Sequence, residues 1–481
     1  MTKLAACNRA CAVFLFCSAT AIVLPAQTFT KLADFNGNNG NAPSAPLIQG
    51  TDGNLYGVTA FGGTESQGVL FRLTPGTSLK SLSLTGVEDN PFGGLLQATD
   101  GNAYGTTLSG GNPDCDPAGC GTVFRVTPQH AVTTLHSFCE APGCTDGVGP
   151  IGGLVQGPDG LYGLAFRGGN LNCFAPLGCG TVFKIGFDGM LTTLYTFLDQ
   201  NDGWSPQGPL VLGTDRNLYG ITEFGGNHAC IPPNGCGTVF KLTPRGTLTT
   251  LHAFSGTDGC APTAGLMQGA DGNFYGTTQG GGPGGCQFGG GPGTIFRITP
   301  GGALTTLHAF QYADGANPSS VLLQATDGNF YGTSEAGGAN DRGTIFKITP
   351  DGVLATVHSF DGVDGRLPVA GLLQSTQGTF YGSTYEGGTD DMGTLFNLDV
   401  GLGPFVAFVR SYGKVGQTGG ILGQGFAGTT AVTLNGTPAS FTVVSDTYLK
   451  ATVPPGATTG YVTVSTPSGT LTSNVAFHVI P

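Results

Sequence analysis

One phrase recurs along this chain, and its recurrence limits the fold more than any other feature. GLMQGADGNFYGTT (265–278) returns as GLLQATDGNAYGTT from Gly94 and as VLLQATDGNFYGTS from Val321. With the Tyr of the Tyr-Gly pair as marker, copies fall at Tyr56, Tyr104, Tyr162, Tyr219, Tyr275, Tyr331 and Tyr381, at intervals of 48, 58, 57, 56, 56 and 50 residues. A Phe in GTVF-like segments follows in step at Phe71, Phe124, Phe183, Phe240, Phe296, Phe346 and Phe396. Units of this size cannot bury their apolar faces alone, so copies must stack on copies.

Each unit reads as four strand-like segments, lettered A to D. In the fifth, A is GLMQGA, B is FYGTT, C is TIFRITP and D is ALTTLHAF. An Asp-Gly pair turns A into B, as in tight hairpins. The segments are short and rich in Thr, Val, Ile, Leu and aromatics, and none has helical period. The 86 Gly and 30 Pro suit many tight turns. A four-stranded sheet repeated around a ring is a β-propeller; the competing architecture is a linear β-solenoid. The termini separate the two. The seventh unit stops at GTLFNLDV without its D segment, and FTKLADFNGNNGNAPSA (29–45) aligns without gaps to LATVHSFDGVDGRLPVA (354–370). The expectation is an all-β chain: a seven-bladed propeller over 27–400, closed by the N-terminal strand, then an Ig-like sandwich over 402–481. A solenoid would leave both ends as unpaired edges.

Residues 1–26 read as a secretory signal: Lys3 and Arg9, the apolar ACAVFLFCSATAIVL, then LPA before Gln27. Cys17 follows Phe16, so a lipobox is not expected, and no later stretch is long and apolar enough to span a bilayer. Removing Lys3 and Arg9 takes the formal charge from −12 to −14, which argues against phosphate-neutralising nucleic-acid binding. Ten cysteines remain. Eight form short-range pairs, Cys115/Cys120, Cys139/Cys144, Cys173/Cys179 and Cys230/Cys236, leaving Cys260 and Cys286 to pair with each other. Export favours disulfides; zinc is the rival, but the spacings are irregular and no His recurs with them.

Strand order assigns faces. The B–C and D–A loops share one face, here the top; the DGN hairpins and TP turns share the bottom. The top carries the variable loops, where binding usually resides. It also carries a polar ring, Asn39, Asp89, Asp146, Asp202, Asp258, Asp314 and Asp364, and Pro stands four residues after each except Asp89. Two readings stand: a carboxylate site for calcium or a polyol, or a turn in which Asp bonds local backbone N–H groups. Trp204, the one Trp, would stack on a sugar or fill a gap between blades. On the bottom, Arg72, Arg125, Lys184, Lys241, Arg297 and Lys347 of strand C lie near Asp52, Asp100, Asp159, Asp215, Asp271 and Asp327, an ion-pairing pattern worth little per exposed pair. His136, His252, His308 and His358 fall on outer strand D, with Tyr195 and Asp34 in the corresponding places, and read as rim polarity or packing.

No nucleophile elbow, HExxH or P-loop occurs. The unit DGNxYGTT…GGxxxxGTVFxxTP…LTTLHSF resembles the GloVer tandem repeat of exported bacterial proteins. The tail, with TLNGTPASF, YLKATVPPGATTG and VTVSTPSG, resembles an IPT/TIG domain. The resemblance implies an extracellular or cell-surface location and a surface-interaction or spacer role, and it offers no catalytic residues to carry over. Unlike anchored relatives, the chain ends in FHVIP with no hydrophobic tail, so attachment through such an anchor is not expected. The expected function is non-catalytic binding of a glycan or a surface protein through the loop-rich face, with no cofactor beyond the calcium reading. The alternative is a secreted polysaccharide-active enzyme, a glycoside hydrolase or lyase, using top-face acids such as Asp116, Asp199 or Glu223.

Overall fold

The computed structural model describes residues 27–77, 79–84, 90–115, 118–173, 175–199, 201–286 and 290–481. The leader segment, Asp89 and Asp116 therefore lie outside the described residues. The described residues are all-β: seven four-stranded sheets arise from the repeats, and two further four-stranded sheets with one parallel pair follow.

The fifth repeat shows how the phrase makes a sheet. Strands A (Met267–Gln268), B (Phe274–Thr278), C (Thr294–Ile298) and D (Leu304–Ala309) pair in that order, all antiparallel. Strand B is buried along its whole length and C is buried except at Arg297, so both read as continuous apolar or Thr runs. D is nowhere fully buried and forms the outer edge. Gly272, at φ +82°, makes the A–B turn that an L side chain would strain. Gly276 is required for another reason: a Cβ there would stand 2.6 Å from Cζ of Phe296, whose ring lies across strand B. The Tyr-Gly and GT(V/I)F markers are thus two halves of one contact. A register shift between Ile295 and Phe296 lets His308 pair opposite Ile295 while Phe296 points inward, and second, third, fourth and sixth sheets repeat it.

Cores form between consecutive sheets. Tyr275, Ile295 and Phe310 of the fifth interleave with Leu322, Phe330 and Phe346 of the sixth. Phe35, Tyr381 and Leu395 of the seventh interleave with Leu47, Leu55 and Phe71 of the first. The outer strand of the seventh sheet is Thr28–Asp34, antiparallel to Thr394–Asp399, with Phe29 opposite Leu398 and Asp34 opposite Thr394.

Side-chain amides link the sheets. The backbone N–H of Thr51 donates to Gln97 Oε1 of the next sheet at 3.0 Å, and the link recurs at Thr99–Gln156, Thr214–Gln268, Ala270–Gln324, Thr326–Gln374 and Thr376–Gln49. At the equivalent seam of the third and fourth sheets, Pro158 has no N–H to give and Leu212 stands where Gln would. The C-terminal module is a sandwich around Val406, Phe426, Leu449 and Val464, all 0% exposed.

Candidate functional site

The A–B turns repeat one hydrogen-bond set. Asp271 accepts from the Asn273 backbone N–H (3.1 Å), Asn273 Nδ2 (2.6 Å) and the Tyr275 hydroxyl (2.9 Å). Burial and the Asp271 charge push the Tyr275 hydroxyl up to about 12. The sequence suggested cations here, and three pairs form: Lys184–Asp159 at 3.0 Å, Lys241–Asp215 at 3.2 Å and Lys347–Asp327 at 2.8 Å. The Tyr partner of the turn Asp was not anticipated, although the four-residue step from Asp to Tyr in five of the turns carried the signal; in the third repeat Tyr162 bonds Asp159 three residues back.

The C-terminal module sits on this side. Tyr412 donates its hydroxyl to the Gln156 carbonyl (3.2 Å), Thr447 to the Thr51 carbonyl (3.2 Å), and Gln424 Nε2 to Thr376 Oγ1 (3.0 Å). The module thus reaches from the turns of the first and seventh sheets to those of the third. Beside Tyr412, a cavity of about 500 Å³ runs between module and sheets, lined by Pro158, Leu212, Arg216, Tyr461 and His478.

On the opposite side, the polar ring of the D–A loops is engaged within its own turns. Asp258 accepts from His252 Nε2 (2.8 Å) and the Ser255 backbone N–H (2.8 Å). Asp314 accepts from His308 (2.9 Å) and Gln311 N–H (2.9 Å), and Asp364 from His358 (2.7 Å) and Asp361 N–H (2.8 Å). Asp146 does the same with His136 and the Cys139 N–H, both 3.1 Å. Asp202 takes the Tyr195 hydroxyl and the Leu198 N–H, both 2.9 Å. Asn39 closes its turn with the Asn36 N–H at 2.8 Å. The strand-D histidines and the loop aspartates, read separately from sequence, are partners. A carboxylate with one oxygen on imidazole and the other on an amide does not fit a calcium site, which needs six to eight free oxygen donors. Trp204 is 8% exposed, stacks on Phe224 at 4.5 Å and donates Nε1 to the Asn234 carbonyl, so it fills the gap and presents no face to a sugar.

All ten cysteines of the described residues pair as expected: Cys115–Cys120, Cys139–Cys144, Cys173–Cys179, Cys230–Cys236 and Cys260–Cys286. Among the described residues, the only clusters of three potential metal ligands are Cys115, Cys120 and Cys139, and Cys230, Cys236 and Cys286, whose sulfurs these disulfides occupy.

Residues from all seven repeats line one cavity of about 530 Å³. It lies where each D–A loop enters strand A. The residue after each repeat's Pro faces it: Ser44, Phe92, Ile151, Gln207, Thr263, Ser319 and Val369. Gln279, Glu335 and Tyr385, from the ends of strand B, join them. Every carboxamide and carboxyl comes from the fourth to sixth repeats, while the second and third contribute only apolar residues and glycine. Glu335 is the one charged residue of the described lining. Burial pushes its carboxyl above the ordinary range, opposed by Ser319 and Gln279. Glu223 stands behind the wall; Gln207 Nε2 donates to it at 2.9 Å, and burial raises its carboxyl too, against Gln207 and Ser205. Asp199 lies outside the lining, 3.5 Å from His228 Nε2, and its carboxyl is raised by burial, with His228 opposing. Of the acids suggested from sequence, Asp199 and Glu223 are described and neither lines the cavity. Glu335 was not singled out, although it replaces residues as different as Ala60, Leu108 and Tyr385 at one repeat position.

No curated protein matches the chain. Solved structures resemble it distantly. A protein provisionally assigned as a 6-phosphogluconolactonase from Bacteroides uniformis shares 16% identity at TM-score 0.43, over 70% of this chain and 96% of its own. A luciferin-regenerating enzyme shares 10% at 0.40, over 79% and 98%. A protein of unknown function from Dyadobacter fermentans shares 11% at 0.43, over 78% and 99%. Likenesses this distant say nothing about what this chain binds. Sequence-family matches reach further: the Gloeobacter/Verrucomicrobia repeat matches at 19–177, 77–287 and 231–442, and the IPT/TIG domain at 406–479. The chain belongs to the Gloeobacter/Verrucomicrobia repeat family and carries a C-terminal IPT/TIG domain.

Proposed function

We propose that this is a secreted, non-catalytic binding protein: a seven-bladed propeller closed by its N-terminal strand, taking a glycan into the mouth formed by its D–A loops. The repeat and the IPT/TIG domain fit an extracellular binding or scaffold role, and five disulfides agree with an oxidising compartment. The observation that carries the reading is the 530 Å³ cavity, shared by all seven repeats and polar along one arc only. Its size is that of small-molecule sites, about 300–1,000 Å³. Amide and carboxyl groups on one wall facing Phe92 and Ile151 on the other suit a ring with hydroxyls on its edge and C–H on its face. The C-terminal module on the A–B turns leaves the D–A side as the face for ligand.

The enzymatic reading has less support. Two-carboxyl glycoside hydrolysis needs both acids facing one cleft. Among the described lining residues Glu335 has no such companion, since Glu223 lies behind Gln207. A glycan array probed with the full secreted chain tests the proposal. Binding to a defined set of glycans, lost in Gln207→Ala, is the expected result. Silence across plant, fungal and bacterial glycans overturns it in favour of a protein partner.

A further inference from the structure

We propose that the cavity is a site for a small ammonium-bearing ligand, in the glycan setting an amino sugar with a free amine, with the Glu335 carboxylate as its counter-ion. The proposal rests on the glycan reading above and narrows it.

A carboxylate removed from water is costly unless a cation or several hydrogen bonds compensate it. Glu335 has little compensation. Gln279 Nε2 stands 3.4 and 3.5 Å from its two oxygens, which is long for such bonds, and the Ser319 hydroxyl is its other polar neighbour. No Lys, Arg or His lines the cavity among the described residues. A bound ammonium supplies both the missing charge and hydrogen-bond donors; an anion would be repelled, and a neutral ring would bring hydroxyl donors but no charge.

Two independent observations point the same way. The hydroxyl oxygens of Ser44 and Thr263 are buried at the cavity wall without a protein partner. They are available to accept N–H or O–H donors, and an ammonium brings three donors. Phe92 and Tyr385 lie in the wall as well, and aromatic faces attract cations.

Isothermal titration of the full chain with glucosamine, N-acetylglucosamine and glucose tests this. Glucosamine is expected to bind at least tenfold more tightly than the other two, and Glu335→Gln to bring all three to parity. Equal binding of the three sugars by the native chain, or a preference for glucosamine that survives Glu335→Gln, overturns the proposal. If Glu335→Gln does not fold, the ratio of glucosamine to N-acetylglucosamine affinity in the native chain decides alone. Silence toward glucosamine alongside array binding of other glycans sinks the ammonium site and leaves the glycan reading intact. Silence toward both sinks both.

Discussion

At the A–B turns, Asp52, Asp100, Asp215, Asp271 and Asp327 each bind the Asn two residues on and the Tyr four residues on. At the other end of the same strands, the residue after the shared Pro is Ser, Phe, Ile, Gln, Thr, Ser or Val, depending on the repeat. Both ends are carried by the same sheets, so the scaffold does not impose the difference. Where every copy is alike, the residue serves the sheet. Where the copies diverge at a position of fixed geometry facing a cavity, the residue is free to serve a ligand.

Substitutions can break or sharpen this contrast. The largest effect is expected in the shared core. Phe240→Ala removes a ring that is 0% exposed and edge-packed on Phe197 at 5.4 Å, and should cost about 3–5 kcal/mol in urea unfolding. Next comes the disulfide with the longest loop, Cys260–Cys286, separated by 26 residues. Replacing both cysteines by Ser should cost about 3 kcal/mol, more than removing any of the five- or six-residue bridges, as read by melting under matched conditions. Asp271→Ala, which strands the Tyr275 hydroxyl and two Asn273 donors, should cost about 1–3 kcal/mol and leave ligand binding intact. Glu335→Gln should do the reverse, raising the unfolding free energy by about 0.5 kcal/mol or more while abolishing the amine preference. Burial holds the folded Glu335 pKa above its unfolded value, so its contribution is fully present below the unfolded pKa and lost as pH rises through the folded one.

The smallest effect is a change in acid sensitivity. Burial opposes ionisation of Asp258 and Asp364, but the bonds from His252 and Ser255, and from His358 and Asp361, outweigh it and depress both carboxyls. A depressed pKa stabilises the fold above the unfolded value and ceases to do so as pH falls through the folded one. Asp258→Asn should therefore flatten the acid limb of the stability profile, measured by urea midpoints below roughly pH 5. If the D–A aspartates held a ligand instead of their turns, this variant would change affinity and leave that limb alone.

The strands, their A-to-D order and the disulfide pairs were legible in the sequence, because repetition, turn residues and spacing report local geometry. The pairing of Thr28–Asp34 with Thr394–Asp399 was legible too, through the ungapped match of 29–45 to 354–370. The candidate site was not. Attention went to what recurs, the Asp ring, and to what differs in length, the B–C loops. The cavity is made by residues that differ in chemistry at constant position, Gln207, Gln279 and Glu335 among them, and only the sheet register reveals that they share a wall. Trp204 stays open in the sequence for a related reason: gap-filling can be chosen over sugar stacking only once Phe224 is found opposite it on the next strand.

A series of similar A–B turns poses an indexing problem, since a second domain could dock against more than one set of them. Pro158 and Leu212 remove the amide link at one seam only, and Tyr412 of the C-terminal module anchors beside it, on Gln156. That single irregularity acts as a keyway. It distinguishes one docking position of the module from the others, and so gives the polar arc of the fourth to sixth repeats a defined bearing toward whatever surface the module faces.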